Sequence, residues 1–442
     1  ADLDLGTVPA EVVDKARACL LHGIVVGLAG VKADFPAIAW KCTPETGSPG
    51  GARLLIDGRL TGRAQAAFAN GVLLHARVQE DTHGTSHIGT VAIPAALAVA
   101  ESVGADGKRL LEGLVAGYEV AGALGREYTA RTTPRAFRAS AIYGPFAAAA
   151  AAARILGLDA RATANALAFA SAFAGGTTES FVAGSMEWHF ENGVAAQNGV
   201  LAAEIAANGG EGAERALEGR VGFLQAVAGT TEGAERVAAG LGKVWELPNV
   251  TFKLCPTCAF NQSPVATMVR LARAHNLQPE DVKRIDIEMN EYEVNYPGMV
   301  YQGPFRSVGQ TQMSTPFCLS LALVDRGVSL DGLLRFDDPR LLDLVRRVEM
   351  HADAGRLPMT VRLRVTTRDG RILEQAQDQR AEEFFVWGFD RVREMARELA
   401  PETPFSLAKI EAIADLIAGL DARQPVSTLI DRLIKDHSRR LA

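Results

Sequence analysis

Ala141-Ile142-Tyr143-Gly144-Pro145-Phe146, then seven alanines from Ala147 to Ala153, then Arg154-Ile155-Leu156-Gly157-Leu158, is the stretch that decides the fold. It carries no charge before Arg154. A helix with small apolar side chains on every face is buried all round, and its neighbours must sit close to it. The segments on either side repeat the texture. Ala160 to Phe173 is its successor and ends in Gly175-Gly176. Gly193 to Ala207 follows and stops at Asn208-Gly209-Gly210, a glycine C-cap signal. Toward the N-terminus, Gly107 to Tyr128 starts after the Asp106-Gly107 turn, and Thr90 to Val103 and Ala64 to Ala76 precede it. Pro9 to Ala29 has helical apolar spacing with proline in its first turn. Helix follows helix through the first 260 residues or so.

After Ser263 the pattern changes. Val282 to Met289 and Thr360 to Thr366 alternate apolar and polar residues at period two, as half-buried strands do. The second runs into Arg368-Asp369-Gly370-Arg371, a hairpin-type turn, and a partner strand through Leu373. Helices are predicted around Pro316 to Val328 and Asp338 to Val348, and amphipathic helices return at Ser406 to Leu420 and Val426 to Leu441. The expected fold is mainly α: a large all-helical domain formed by both chain ends (1–264 and 399–442), plus a smaller inserted α+β domain (265–398).

Composition narrows the function. A chain of 442 residues is too long for one simple core, and 48% hydrophobic residues exclude a disordered one. The net charge of −6, with no clustered basic face, argues against nucleic acid as a partner. The five cysteines (Cys19, Cys42, Cys255, Cys258, Cys318) are scattered, which suits a reduced, cytoplasmic setting. The N-terminus lacks the basic start of a signal peptide. The apolar run Ala16 to Val31 is broken by Arg17, His22 and glycines, so a buried helix is expected there and no membrane span.

The chemistry concentrates in Gln79-Glu80-Asp81-Thr82-His83-Gly84-Thr85-Ser86-His87-Ile88-Gly89, at the rim of an apolar helix. Acid–base groups in such a place are expensive unless paired or used. Nucleotide and metal motifs do not occur, and Cys255-Pro256-Thr257-Cys258 has no second pair to complete a zinc site, so neither a cofactor nor a metal is expected. Side chains must then do the work. Arg135 and Arg138, just before a buried helix start, are placed to bind an anion. Lys253, in an apolar setting, suits a base or an anion clamp. Tyr143 and His83 are further proton-handling candidates, and His189 lies among acids and aromatics in Glu187-Trp188-His189-Phe190-Glu191.

The ordered set His75 to Pro94, Gly117-Tyr118-Glu119, Gly144 to Asp159, Gly193 to Ala207, Phe252 to Cys258 and Ser314 to Gly327 resembles the MmgE/PrpD family over essentially the whole chain. That family includes 2-methylcitrate dehydratase, cis-aconitate decarboxylase and iminodisuccinate epimerase. The resemblance implies a helical domain with an inserted α+β domain, a homodimer and a cofactor-free site for a small carboxylate. It places Thr82, His87 and Lys253 on site positions of the family. It also shows departures. Val78 and Glu80 stand where the family's D-x-D-D-T run has aspartates, and only Asp81 holds. Arg138 stands for a histidine, Trp188 for a lysine and Phe317 for a tyrosine.

With several proton-handling groups missing, the expectation is a cofactor-independent epimerase of a small amino- or hydroxy-dicarboxylate. Lys253 and His87 would be the acid–base pair, with Tyr143, His83 or Asp81 as substitutes. Arg138, Thr82, Arg135, His189 and Trp188 would line the carboxylate pocket. A lyase acting on a related tricarboxylate is the alternative, and a non-catalytic binding protein on the same fold is the third.

Overall fold

The computed structural model describes residues 1–47, 49–380 and 384–434. Its chain packs as two compact units. The first comprises 1–177, 188–250 and 387 onward, and the second 178–187 and 251–386. The expected boundaries were 264 and 398; the observed exchange points lie earlier, and a short internal piece, 178–187, joins the second unit.

The first unit is built on α1 (Ala10–Ala29), α2 (Asp34–Lys41), α3 (Arg63–His75), α4 (Gly89–Ser102), α5 (Gly107–Thr132), α6 (Ala139–Leu156) and α7 (Ala160–Phe173). After α8 (Glu179–Ala183), which belongs to the second unit, comes α9 (Glu187–Ala207). A two-residue ladder, β1 (Ala52–Arg53) with β2 (Leu60–Thr61), is a small exception to its helical character. Helices Phe389–Leu399, Leu407–Ala418 and Val426–Leu433 follow, and the part of the last predicted helix beyond 434 lies outside the described residues. Starts and stops follow local chemistry. Asp106 and Asp159 accept the backbone N–H groups of Arg109 and Ala162, capping α5 and α7, and Gly157 ends α6 in the left-handed conformation.

The alanine helix α6 lies against α4, α5 and α7. It is long and apolar enough to cross a membrane by composition alone, but 89% of it is buried inside the protein. Its small side chains and its internal Pro145, whose ring denies the preceding turn a hydrogen bond, admit α9 at backbone range. A Cβ on Gly199 of α9 would stand 2.5 Å from the Pro145 carbonyl oxygen and 2.7 Å from the Ala149 nitrogen. On an exposed helix Gly→Ala stabilises by up to about 1 kcal/mol. Here backbone, which cannot yield, blocks the methyl. Gly199→Ala is expected to destabilise by about 2–3 kcal/mol, read as a lowered denaturation midpoint with an unchanged denaturant slope.

The second unit carries a four-stranded sheet in the order β4-β3-β5-β6. The strands are β3 (Val282–Asn290), β4 (Val348–Asp353), β5 (Val361–Thr367) and β6 (Ile372–Gln377). Strand β4 runs parallel to β3, whereas β5 is antiparallel to both β3 and β6. The alternation read in the sequence matches the buried set Val361, Leu363 and Val365, which packs with Met268, Leu271 and Leu321 in one core. Strand β4 is a correction. The sequence placed a helix over 338–348, but the helix ends at Val345 and the chain turns into an edge strand. Only Val348 of β4 is buried, so no alternation marks it.

Glu293 in this unit is buried, and its carboxylate accepts the Met359 N–H at 2.6 Å. Burial pushes it up to about 7 from an ordinary 4.5. The folded-state pKa is raised, so the stabilising contribution is complete below about pH 4.5 and is lost as pH rises through 7. Between those values stability falls by about 1.4 kcal/mol per pH unit for this group. Glu293→Gln is therefore expected to match the wild type near pH 4.5 and to exceed it by about 2–3 kcal/mol at pH 8. Paired melting curves at the two pH values check this; equal differences at both would refute it.

Candidate active site

The site is assembled in the first unit, from the end of α3, the following loop, the start of α6 and the first turn of α9. Helix α3 ends on His75, and Val78 then takes a left-handed conformation at φ 59°. A β-branched residue held there costs about 1–3 kcal/mol and persists only where its surroundings impose it. The turn folds the chain back, so that Glu80 meets the side chain of His75, Oε1 lying 3.0 Å from Nδ1. His87 Nδ1 lies 2.8 Å from the same oxygen. One carboxylate oxygen thus serves two imidazoles.

His75 is fully buried and Glu80 almost so, whereas the side chain of His87 keeps 16% of its surface open. Of the two imidazoles on Glu80, His87 is the one with access to solvent. Its main chain is fixed on both sides: its N–H donates to Ser140 Oγ of α6 at 2.9 Å, and its carbonyl accepts from Thr90 Oγ1 of α4 at 2.8 Å.

Arg138, the residue preceding α6, enters the cluster from the other side. Its guanidinium donates to the Trp188 carbonyl, to Glu191 Oε2 at 3.1 Å and to His75 Nε2 at 2.9 Å. His189 is stacked on Phe35 of α2, with ring centroids 3.6 Å apart, and against Trp188 at 3.7 Å. Burial, with the nearby Arg138 guanidinium adding to it, holds His189 well below the usual imidazole range, so it is neutral.

The other acids of the loop do different work. Asp81 Oδ2 accepts from Tyr118 of α5 at 2.5 Å, and Oδ1 accepts the Gly89 N–H at the start of α4 at 3.0 Å. Any Cβ at position 89 would stand 2.5 Å from that carboxylate, which is why glycine occupies it. Burial raises Asp81 to about 6, against the opposing pull of those two hydrogen bonds. His83 faces Glu246 at 3.0 Å, and Arg126 pairs with the same acid. Glu119 of α5 receives the Glu246 and Leu247 N–H groups at 2.7 and 3.0 Å, and burial lifts it to about 7. These two acid sets hold the loop in place.

The structure therefore brings together His87, Arg138, His189 and Trp188 of the residues predicted from sequence. Asp81 and His83 sit on the same loop with other partners. Thr82 is buried on it as well. Tyr143 is buried in α6, hydrogen-bonded to Thr132 at 3.0 Å, and burial pushes its hydroxyl up to about 12. Arg135 is exposed and donates to the Ala226 carbonyl at 3.1 Å. Lys253 is buried in the second unit, on the segment whose Phe252 N–H donates to the Phe385 carbonyl. Phe317, also in that unit, is core and packs edge-on against Phe305.

Sequence reasoning missed His75, Glu191 and the part played by Glu80. A histidine five residues before an acid is no motif. The one available signal was Val78, an apolar residue at an acid position of the resembling family. Elsewhere, Asp286, Glu349 and His351 are close enough to share a cation on the exposed face of the sheet, but Arg284 already pairs with both acids. Cys255 and Cys258 are buried thiols, the latter pushed up to about 11 by burial.

The comparisons with known proteins agree along the chain. The family model described as the MmgE/PrpD N-terminal domain matches residues 1–235, and that of the MmgE/PrpD C-terminal domain matches 255–384. A cis-aconitate decarboxylase of Aspergillus terreus is 24% identical over an alignment covering 98% of this chain and 94% of the relative. The cis-aconitate decarboxylase-like protein oryM of Aspergillus oryzae is 27% identical, covering 77% of this chain and 74% of its own.

Proposed function

For a chain that belongs to the MmgE/PrpD family, we propose a cofactor-independent lyase that breaks a carbon–carbon or carbon–oxygen bond in a small polycarboxylate, with His87 as the general acid. The observation that carries this reading is one carboxylate oxygen of Glu80 facing both His75 and His87, of which His87 has the partly accessible side chain. A buried carboxylate behind an imidazole stabilises the imidazolium, and an imidazolium can deliver a proton to the carbon vacated by CO2 or to a departing hydroxyl. The relatives named for decarboxylation support the lyase over the epimerase. An epimerase needs two proton-handling groups on opposite faces of one carbon. In the first unit Asp81, His83 and Tyr143 are already engaged by Tyr118, Glu246 and Thr132. Lys253 is proposed as an anion-holding group, and a homodimer in the cytoplasm as the working state.

The test incubates the full-length protein with cis-aconitate, 2-methylcitrate and hydroxy- and amino-dicarboxylates in D2O, followed by NMR. Loss of CO2 with deuterium entering the product, or loss of water leaving an alkene, is expected. Exchange at an α-carbon with no bond broken would replace this reading by the epimerase. No change in any compound, together with a thermal shift on binding, would favour a binding protein.

A further inference from the structure

The hydrogen bond between Arg138 and His75 fixes where protons sit in this cluster. A guanidinium has donors and no acceptor, and it stays protonated in proteins. His75 Nε2, 2.9 Å from Arg138 and in line to accept from it, must therefore carry a lone pair. A neutral imidazole has its one proton on the other nitrogen, so His75 Nδ1–H donates to Glu80 Oε1. Glu80 then remains the anion, and the second imidazole against that oxygen is His87.

We infer that Arg138 is a positioning residue: by holding His75 in its Nδ1–H tautomer it keeps that ring from taking up a proton, and so reserves the Glu80 carboxylate for the imidazolium of His87. Among the described residues, the charged and titratable groups facing His75 include Glu80 and His87 from the loop, Arg138 from the start of α6 and His189 from α9, with Glu191 of α9 on Arg138. Glu191 neutralises the guanidinium from behind, and His189 is neutral through burial, so neither offers His75 a reason to charge. Arg138 stands at the end of a chain of contacts, guanidinium to imidazole to carboxylate to imidazole, and acts on the accessible ring without touching substrate. This assigns the arginine a task other than clamping a substrate carboxylate, since its donors already face Trp188, Glu191 and His75.

The catalytic half of the inference rests on the lyase reading; the tautomer does not, and the two are measured separately. Full-length protein with 15N-histidine is followed by long-range 1H–15N correlation from pH 5 to 9, and His75→Gln identifies the resonance. In the wild type His75 is expected to keep the Nδ1–H pattern throughout. A wild-type His75 that is Nε2–H or doubly protonated at neutral pH overturns the proposal, and this needs no variant to fold. In Arg138→Met, His75 is expected to take up a proton on acidification, and kcat at pH 6 to fall about tenfold relative to its value at pH 8. An Arg138→Met protein whose His75 keeps the wild-type pattern, or whose pH profile is unchanged, also overturns it. Absence of turnover by the wild type defeats the lyase reading alone and leaves the spectrum to decide the tautomer.

Discussion

His87→Asn is expected to lower kcat for the polycarboxylate substrate by about 10²–10⁴, the span that a positioned general acid contributes. Asparagine keeps a polar side chain of similar reach but cannot hold a transferable proton near neutrality. The loss should fall on kcat more than on KM, because the proton moves only in the transition state. Folding should be little affected. Its backbone ties, to Ser140 and Thr90, survive the substitution. A variant that turns over within threefold of the wild type, with a matching melting temperature, would remove His87 from the chemistry.

Glu80→Gln is the second large effect. The amide has nearly the same shape, so the Val78 turn and the α3 terminus can persist. What changes is charge and donor polarity. One carboxylate oxygen faces two imidazoles, hydrogen-bonded to His75 and 2.8 Å from His87 Nδ1, whereas an amide offers one acceptor oxygen and one donor nitrogen. One histidine must then turn its lone pair toward the amide, and the imidazolium loses its counter-charge. Replacing the carboxylate behind a catalytic imidazole by its amide costs about 10⁴ in the serine-protease triad. Here the acid backs a ring with some solvent access, so a loss of about 10²–10³ in kcat is expected. The pH profile of the variant should be displaced as well as lowered. A Glu80→Gln protein with wild-type rate and profile would show that the shared carboxylate is scaffolding only.

Both effects depend on an arrangement that the sequence does not spell out. Arg138 illustrates the gap. Its place before a buried helix was legible, and an anion was the natural partner to expect. The anion it meets is Glu191, brought over by α9, and its guanidinium also donates to His75, from α3. Asp81 illustrates it again, since its neighbour Glu80 faces the histidines while Asp81 itself anchors Gly89 and Tyr118. Adjacent residues in an irregular loop point in different directions, and no periodicity predicts which.

The sequence by itself determined the helices around Ala141 to Leu158, the two alternating strands and the family to which their order belongs. Each of those rests on near-neighbour physics: side-chain size, period and capping, all of which act within a few residues. Only the tertiary structure decided that His75, Glu80, His87, Arg138 and His189 form one cluster. Their convergence requires α9 to pack at backbone distance on α6, which Gly199 and the alanines permit, and Val78 to hold a conformation it would not choose alone. Those are properties of the packed whole, because a strained residue and a buried charge are tolerated only when many distant contacts outweigh them.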